Sequence, residues 1–204
     1  MTASRPYSSP LRAEQAAVTR DRVVDAAVEL LSGGDATEVG MQDVADRAGV
    51  SVRTLYRHFA TREELFDAVV KSIRERMAAM AGPPPVGLAA QIESTREVVG
   101  AVLELEPLYR ALFATQAGRD SHQRGARRRR AAMTEAVAGE LDGLDDDEVR
   151  LCTALIHLVT SSTAVLFLKD YWGLDADETA RVLGWGGGAL IAAMRDPKRR
   201  GEQL

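Results

Sequence analysis

The fold is decided by residues 41–60, which read MQDVADRAGVSVRTLYRHFA. A short helical segment over 41–48 stops at Gly49, and a second helix is predicted over Val52–Phe59. Two short helices that cross steeply need a small residue where their backbones approach, and Ala45 occupies that position. The tight turn between them needs a residue that tolerates positive φ, which glycine does. The spacing therefore predicts a helix-turn-helix.

The second of these helices is predicted to be about eight residues or ~12 Å long, enough to place one end in a DNA major groove. Its outward face presents Val52, Arg53, Tyr56 and Arg57. Arginine makes bidentate contacts to guanine or phosphate, and tyrosine offers a hydroxyl to phosphate and a ring to the thymine methyl. The alternative is a helical hairpin with solvated arginines, and the spacing favours DNA binding over it.

Outside this motif the hydrophobic spacing is helical throughout, which predicts an all-α fold of about nine helices. Pro83–Pro85 cannot continue a helix and mark a domain boundary. We predict a flexible tail over 1–16, a helix-turn-helix domain over 17–82 and a larger helical domain over 83–204. The predicted helices cover 20–31, 41–48, 52–59, 61–80, 88–107, 108–117, 121–141, 145–169 and 175–194.

The composition of the 204-residue chain is globular, with 46% hydrophobic and 27% charged residues, which excludes wholesale disorder. The formal net charge of −4 argues against a generally basic nucleic-acid binder. Local charge differs from this sum, because four arginines and no acidic residue occur between Arg47 and Arg62. The total charge therefore does not exclude a DNA-binding patch.

Other features concern compartment and cofactors. A single cysteine, Cys152, excludes an intrachain disulfide and a cysteine-based zinc site, and it fits a reducing compartment. Three scattered histidines leave little for a metal cluster, so we expect no metal and no cofactor. The N-terminus lacks the apolar segment of a secretory signal. Polar residues interrupt the uncharged stretch 151–168, which favours a buried helix over a membrane span. We expect a cytoplasmic protein without a membrane partner.

The stretch Val39–Val70, VGMQDVADRAGVSVRTLYRHFATREELFDAVV, strongly resembles the N-terminal domain of the TetR (tetracycline repressor) family of bacterial transcription regulators. The residues that carry the resemblance are Asp43-Val44-Ala45, Ala48-Gly49-Val50-Ser51, Thr54-Leu55-Tyr56, His58-Phe59 and Arg62-Glu63-Glu64-Leu65. It implies a DNA-binding domain followed by a helical domain for ligand binding and dimerisation. It also implies that the partners are double-stranded operator DNA, a small-molecule effector and a second copy of the chain.

The resemblance also implies which residues contact DNA. In the family these contacts come from the start of the second helix, the recognition helix and the start of the fourth helix. Carried over, the DNA-binding residues are Gln42, Ser51, Val52, Arg53, Thr54, Tyr56, Arg57, His58 and Arg62. Leu55 and Phe59 are expected in the core. Gly40 stands where the family often has Ser or Thr, which removes a hydroxyl cap.

We expect a mainly apolar effector to bind between the helices of residues 88–170, because an apolar lining with a few polar anchors is typical of small-molecule sites. The lining is predicted to include Val99, Leu103, Phe113, Met133 and Val137, with Thr95, Arg130, His157 and Thr160 as anchors. Two alternatives stay open. The run Arg127–Arg130 forms a solvated face, or Arg129 or Arg130 reaches a ligand carboxylate or phosphate. His157 is a core or interface histidine, or it contacts the ligand.

Glycines within the last predicted helix, Gly184–Gly188, lack the Lys-Ser/Thr of a phosphate-binding loop and follow no strand. Each costs about 1 kcal/mol relative to alanine in a helix. In the TetR family the last two helices of each subunit form a four-helix dimer interface. We therefore interpret the glycines as permitting close helix contact in a homodimer formed by the last two long helices.

These observations favour a homodimeric transcription regulator, a repressor that binds a palindromic operator and is released by its effector. One alternative is an effector-free DNA-binding regulator or activator. The other is a small all-α enzyme, for which the sequence offers no convergent acid, base and nucleophile. The helix over 61–80 joins the DNA-reading helices to the rest of the chain, so we expect effector and DNA to bind antagonistically.

Overall fold

The structure, a computed structural model, describes residues 10–33 and 39–196, and these residues contain helices and no strand. Eleven α-helices are present: α1 Pro10–Ser32, α2 Met41–Ala48, α3 Val52–His58, α4 Arg62–Ala81, α5 Leu88–Glu93, α6 Thr95–Glu104, α7 Glu106–Ala114, α8 Gln116–Glu140, α9 Asp146–Thr160, α10 Ser162–Trp172 and α11 Ala176–Arg195. The predicted all-α fold is confirmed. The helix count is higher than expected because two predicted helices are each divided.

Serines cause both divisions. Ser161, between α9 and α10, has an extended backbone with ψ 150°, and its side chain accepts a hydrogen bond from Ala164 N at 3.1 Å. It is therefore the N-cap of a new helix. Ser94 ends α5, and its hydroxyl donates to Gln91 O at 3.3 Å. Serine side chains compete for backbone groups in this way, which apolar periodicity alone does not reveal.

The first helix starts earlier than expected. α1 begins at Pro10, whereas we predicted a flexible tail to residue 16. Proline suits the first turn of a helix, and residues 13–17, AEQAA, are strong helix formers. The rest of the predicted tail, residues 1–9, and the basic segment Pro197–Arg200 lie outside the described residues.

The chain divides into two compact units. The first unit is the chain up to Ser72 together with Arg110–Ser121, and the second unit is Ile73–Tyr109 together with the chain from His122. Helices α4, α7 and α8 thus each contribute residues to both units. The boundary predicted at residue 83 falls inside the second unit.

Apolar side chains from α1 to α4 form the core of the first unit. Those with at most 2% of their surface exposed include Val23, Leu31, Val44, Leu55, Phe59, Leu65, Phe66 and Val69. Burying side chains of this size contributes about 1.5–3 kcal/mol each. The same unit contains the α7–α8 corner, where Thr115 Oγ1 accepts from Gly118 N at 3.1 Å. A Cβ on Gly118 would lie 2.2 Å from Leu112 O, so only glycine fits there.

In the second unit, α11 packs against α5, α6 and α9, and α10 packs against α6 and α9. The core residues they share with α8 are Leu88, Val137, Leu141, Val149, Cys152, Ile156, Ile191 and Met194. Leu88 N at the start of α5 donates to Glu140 Oε1 of α8 at 3.0 Å. Gly187 brings α11 close to α5, because a Cβ there would lie 2.3 Å from Ile92 Cδ1.

Among the described residues, no single helix is long and apolar enough to cross a membrane. Only α9 and α10 taken together reach the required length and composition, and they are bent by 53° at Ser161.

Candidate DNA-binding site and effector region

The turn between α2 and α3 has the predicted geometry. Gly49 ends α2 in the left-handed conformation, with φ 64° and ψ 37°, and its N–H donates to Asp46 O at 3.1 Å. Val50 N then donates to Ala45 O at 3.0 Å, which closes the end of the helix. The Arg22 guanidinium reaches from α1 and donates to Ala48 O at 2.6 Å. The reversal of the chain is thus fixed by backbone bonds and by one arginine.

The start of α3 is capped as expected. Ser51 accepts a hydrogen bond from Thr54 N at 3.1 Å, and the two hydroxyls lie 2.9 Å apart. Leu55 and Phe59 are completely buried, so they hold α3 against the core of the first unit. The Arg20 guanidinium lies 4.4 Å above the Phe59 ring, a cation–π contact that covers the end of α3.

The opposite face of α3 is exposed. Arg53, Tyr56 and Arg57 are exposed, while Val52 and Thr54 are half-buried beside them. Tyr56 has 47% of its surface accessible, whereas the adjacent Leu55 is completely buried. Arg53 and Arg57 have no hydrogen-bond or ion-pair partner among the residues that the structure describes. This face therefore presents cationic and hydroxyl donors of the kind that contact phosphate and base edges.

Two further predicted contacts, His58 and Arg62, flank the end of α3. His58 Nε2 is buried and has no hydrogen-bond partner within the described chain. Burial, and then the charges of Arg57 and Arg20, lower the pKa of His58, so its imidazole is neutral near pH 7. The Arg62 guanidinium lies 5.4 Å from the centre of the Phe66 ring, and its Nε is also buried without a described partner.

The start of α2 keeps only one half of a capping box. Gly40 N donates to Asp43 Oδ2 at 3.1 Å, but Gly40 has no side chain to accept a hydrogen bond from the first turn of the helix. A Cβ on Gly40 would lie 2.8 Å from the same oxygen and displace it. Gln42, the predicted DNA contact here, is exposed and donates to Asp46 Oδ1 at 2.8 Å within its own helix. The Gln42 amide can therefore contact DNA only if it gives up its hydrogen bond to Asp46.

The residues predicted to bind an effector do not share one described cavity. Val99 and Val137 are fully packed, and Met133 lies against the core that contains Val137. Thr95, at the start of α6, donates to Ile92 O of α5, and Thr160 donates to Ile156 O within α9, so both hydroxyls are bonded to nearby backbone carbonyls. Leu103, Phe113 and His157 are half-buried.

Arg130 is exposed and lines a groove on α8. The groove has a volume of about 490 Å³, and its other lining residues are Arg127, Ala131, Thr134, Glu135 and Ala138. Within the basic run the more buried guanidinium is that of Arg129, whose pKa is lowered by burial and then by the charge of Arg74. Of the two inward candidates considered from the sequence, the structure thus turns Arg129 inward and leaves Arg130 outside.

Comparison with known proteins agrees with the helix-turn-helix geometry. Residues 23–69 match the family model described as bacterial regulatory proteins, tetR family. The N-terminal part of the chain thus matches the DNA-binding segment of TetR regulators. The matched family consists of bacterial regulatory proteins, which argues against the enzyme hypothesis.

Two curated relatives illustrate how far this TetR likeness extends. An uncharacterized HTH-type transcriptional regulator of Mycobacterium tuberculosis is 39% identical over 67 residues, which is 33% of each chain. The match thus spans about a third of that relative's length. The HTH-type transcriptional repressor NicS of Pseudomonas putida is 26% identical over 190 residues, covering 84% of this chain and 89% of NicS.

A solved structure shows the same fold over nearly the whole chain. The crystal structure of RolR in complex with resorcinol aligns with a TM-score of 0.54 and 17% identity, covering 94% of this chain and 97% of RolR.

Sequence reasoning missed residues that act through tertiary contacts. Arg20 and Arg22 lie on α1, and only the fold shows that they cover Phe59 and Ala48. The group around Arg129 was also missed, because its members come from different helices. Among the described residues, no group of three His, Cys, Asp or Glu side chains is placed to hold a metal ion.

Proposed function

We propose that the protein is a homodimeric repressor that binds palindromic operator DNA through α2 and α3 and is released by a small-molecule effector. The observation that carries the DNA-binding part is the exposed face of Arg53, Tyr56 and Arg57 on a helix fixed by buried Leu55 and Phe59. NicS is described as a repressor, which supports repression here. In a bacterium such a protein acts in the cytoplasm, where its operator lies.

Exposed apolar side chains on the last two helices support a dimer. Phe167 and Tyr171 of α10 stack with ring centres 5.3 Å apart, and both are exposed, as is Trp172. On α11, Val182 and Trp185 are exposed, and Trp185 has 80% of its surface accessible. Added Cβ atoms at Gly184 and Gly188 would meet nothing within 4 Å. A contiguous apolar surface with small residues is typical of a helix-packed homodimer.

The structure of RolR holds resorcinol, which supports a small-molecule effector for this chain as well. Helices α4, α7 and α8 contribute residues to both units, so displacing any of them by an effector in the second unit reaches the first. Such coupling is reciprocal, and typical values of ~1–3 kcal/mol change affinity about five- to 150-fold.

One observation favours the second candidate, an effector-free regulator. Val99 and Val137, two predicted lining residues, have at most 1% of their surface exposed and belong to packed helices. An effector that binds among them has to open this core. If such opening does not occur, the protein regulates its operator without a ligand.

The DNA-binding proposal is tested with an operator selected from a random duplex pool by the full-length protein. Arg53→Ala and Tyr56→Ala should each weaken specific binding by roughly 5- to 150-fold per half-site, since a good base contact contributes ~1–3 kcal/mol. Arg62→Ala should instead weaken binding to all sequences and lower the salt dependence, as loss of a phosphate contact does.

The matched control is Arg127→Ala, which removes an exposed arginine in the second unit and should leave DNA affinity unchanged. Helical circular dichroism should be the same for all four variants. Selection of asymmetric sites, or sedimentation of a DNA-competent monomer, would contradict the dimer on a palindrome.

A further inference from the structure

Cationic and polar side chains from four helices of the second unit lie near Arg129 of α8, which in turn lies beside the buried glycine Gly125 of the same helix. The members of this group, which we call the Gly125 cluster, are Arg74 of α4, Tyr109 of α7, His122 and Arg129 of α8, and His157 of α9. They lie close enough for their charges to act on one another: His122 is influenced by Arg129, His157 and Arg74.

The two guanidinium groups of the cluster face one small space. A Cβ built on Gly125 would lie 3.5 Å from Arg129 Nη1 and 3.8 Å from Arg74 Nη1. Both distances are ordinary van der Waals contacts, so a methyl group fits between the two nitrogens without strain. The absence of a side chain at Gly125 leaves that volume open, flanked by N–H donors from two helices.

Neither guanidinium is neutralised by a carboxylate of the residues that the structure describes. Arg74 and Arg129 have no hydrogen-bond or ion-pair partner among the described residues, and no carboxylate is among the charges that act on Arg129. Arg129 is half-buried and Arg74 is exposed, so part of the positive charge of this pair is removed from water. Burying a charge without a partner costs free energy, so a protein that keeps this arrangement benefits from a partner supplied from outside.

The neighbouring side chains are suited to the same partner. Burial, followed by the charges of Arg129, His157 and Arg74, lowers the pKa of His122 to about 4, so its imidazole is neutral near pH 7 and still donates one hydrogen bond. Burial raises the pKa of Tyr109, so its hydroxyl keeps its proton. Guanidinium forks bind planar carboxylates and phosphates with short, charge-assisted hydrogen bonds.

We propose that the Gly125 cluster binds the oxyanion, a carboxylate or a phosphate, of a small organic ligand, with Arg129 and Arg74 as its charge partners. That this ligand is the effector rests on the function proposed above. The assignment narrows the effector class from apolar molecules in general to organic anions. It also gives Arg129, rather than Arg130, the role of ligand anchor.

The test is calorimetric titration of the full-length protein with benzoate, phenyl phosphate, phenol and inorganic phosphate. Benzoate or phenyl phosphate should bind, and whichever binds more tightly distinguishes a carboxylate from a phosphate ligand. Phenol has the same ring without the charge and should bind at least tenfold more weakly. Binding of inorganic phosphate alone would indicate an adventitious ion only and overturn the proposal.

Three variants locate the binding. Arg129→Met should weaken anion binding at least tenfold, and Gly125→Ala should do the same by filling the space between the guanidinium groups. Gly125→Ala is expected to fold at least as stably as the wild type, because alanine is the better helix residue. Arg127→Met, which changes an exposed arginine of the same helix, is the matched control and should bind the anion normally.

The outcomes separate this inference from the proposed function. Anion binding that is lost in Arg129→Met but leaves operator affinity unchanged supports the cluster and contradicts effector release. Release of DNA by phenol, unaffected by Arg129→Met, supports effector release and overturns the anion site. Failure of all three anions to bind also overturns it, as would equal binding in wild type and Gly125→Ala.

Discussion

Two helices of this protein, α2 in the first unit and α10 in the second, end in the same way but in different surroundings. Gly49 and Gly173 both adopt the left-handed conformation, with φ 64° and 67°. A Cβ on Gly49 would lie 3.3 Å from the Arg22 guanidinium that holds the turn, whereas a Cβ on Gly173 would meet nothing within 4 Å. The same left-handed helix end is thus closely packed against a neighbouring side chain in the first unit and has free space around it in the second.

The comparison extends to the two units. In the first, short-range features such as a cap, a turn and two buried side chains fix α3, so one surface of a seven-residue helix is held in a defined orientation. In the second, stability is spread over a core built from α5, α8, α9 and α11. We infer that the first unit tolerates few changes near the turn, while the second unit tolerates more.

The largest difference is expected for Gly49→Ala against Gly173→Ala. Both variants place an L-residue in the left-handed region, at a cost of about 1–2 kcal/mol each in stability. Gly49→Ala also crowds Arg22, so α3 shifts and operator affinity should fall on the order of tenfold or more, which is about 1.4 kcal/mol. Urea denaturation and gel-shift titration measure the two effects. Equal operator affinity in both variants would contradict the distinction between the two ends.

A smaller effect concerns acid stability of the second unit. The pKa of His122 is lowered to about 4 from the ordinary 6.5, so the unfolded chain binds a proton on this residue at a higher pH than the folded chain. The contribution of neutral His122 is therefore present above pH 6.5 and is lost as the pH falls towards 4. Because His122 is only half-buried, solvent screening reduces this loss to roughly 1–2 kcal/mol.

His122→Gln should flatten that part of the pH profile, since glutamine does not titrate. Thermal unfolding between pH 6.5 and 4 measures the slope. His58→Gln is the companion variant in the first unit: burial, and then the charges of Arg57 and Arg20, lower the pKa of His58, and the slope change should be smaller because this lowering is smaller than that of His122. A larger change for His58→Gln than for His122→Gln would reverse this assignment.

The two units also differ in how much of them could be read from the sequence. The helix-turn-helix was predicted correctly because its determinants are close in sequence. Gly49 ends α2, and Ser51 caps α3 by accepting a hydrogen bond from Thr54 N, three residues away. The second unit was predicted as helices but without the divisions at Ser94 and Ser161, because serine is compatible with both a helix interior and a cap.

The functional groups of the second unit were predicted less well for a different reason. Four consecutive arginines of a helix point in all directions, so the sequence cannot assign one of them to the interior. Arg129 is distinguished from Arg130 only by Arg74 and Tyr109, which lie on other helices. Thr95 and Thr160 were expected as anchors, and their hydroxyls donate instead to backbone carbonyls three and four residues earlier in the chain.

The smallest expected effect separates the roles of two glycines in α11. Gly184→Ala adds a methyl group to open space, so the better helix propensity of alanine should stabilise the isolated chain by up to about 1 kcal/mol. Gly187→Ala places its Cβ 2.3 Å from Ile92 Cδ1, so displacement of Ile92 offsets that gain. Thermal unfolding at low protein concentration should give a higher stability for Gly184→Ala than for the wild type, and an equal or lower one for Gly187→Ala.

Sedimentation equilibrium, which measures dimer affinity, should order the variants differently. If Gly184 faces the second copy in the proposed dimer, two added methyl groups hold the helices apart, so Gly184→Ala weakens the dimer while stabilising each chain. Unchanged dimer affinity in Gly184→Ala would show that this glycine serves neither the core nor the interface.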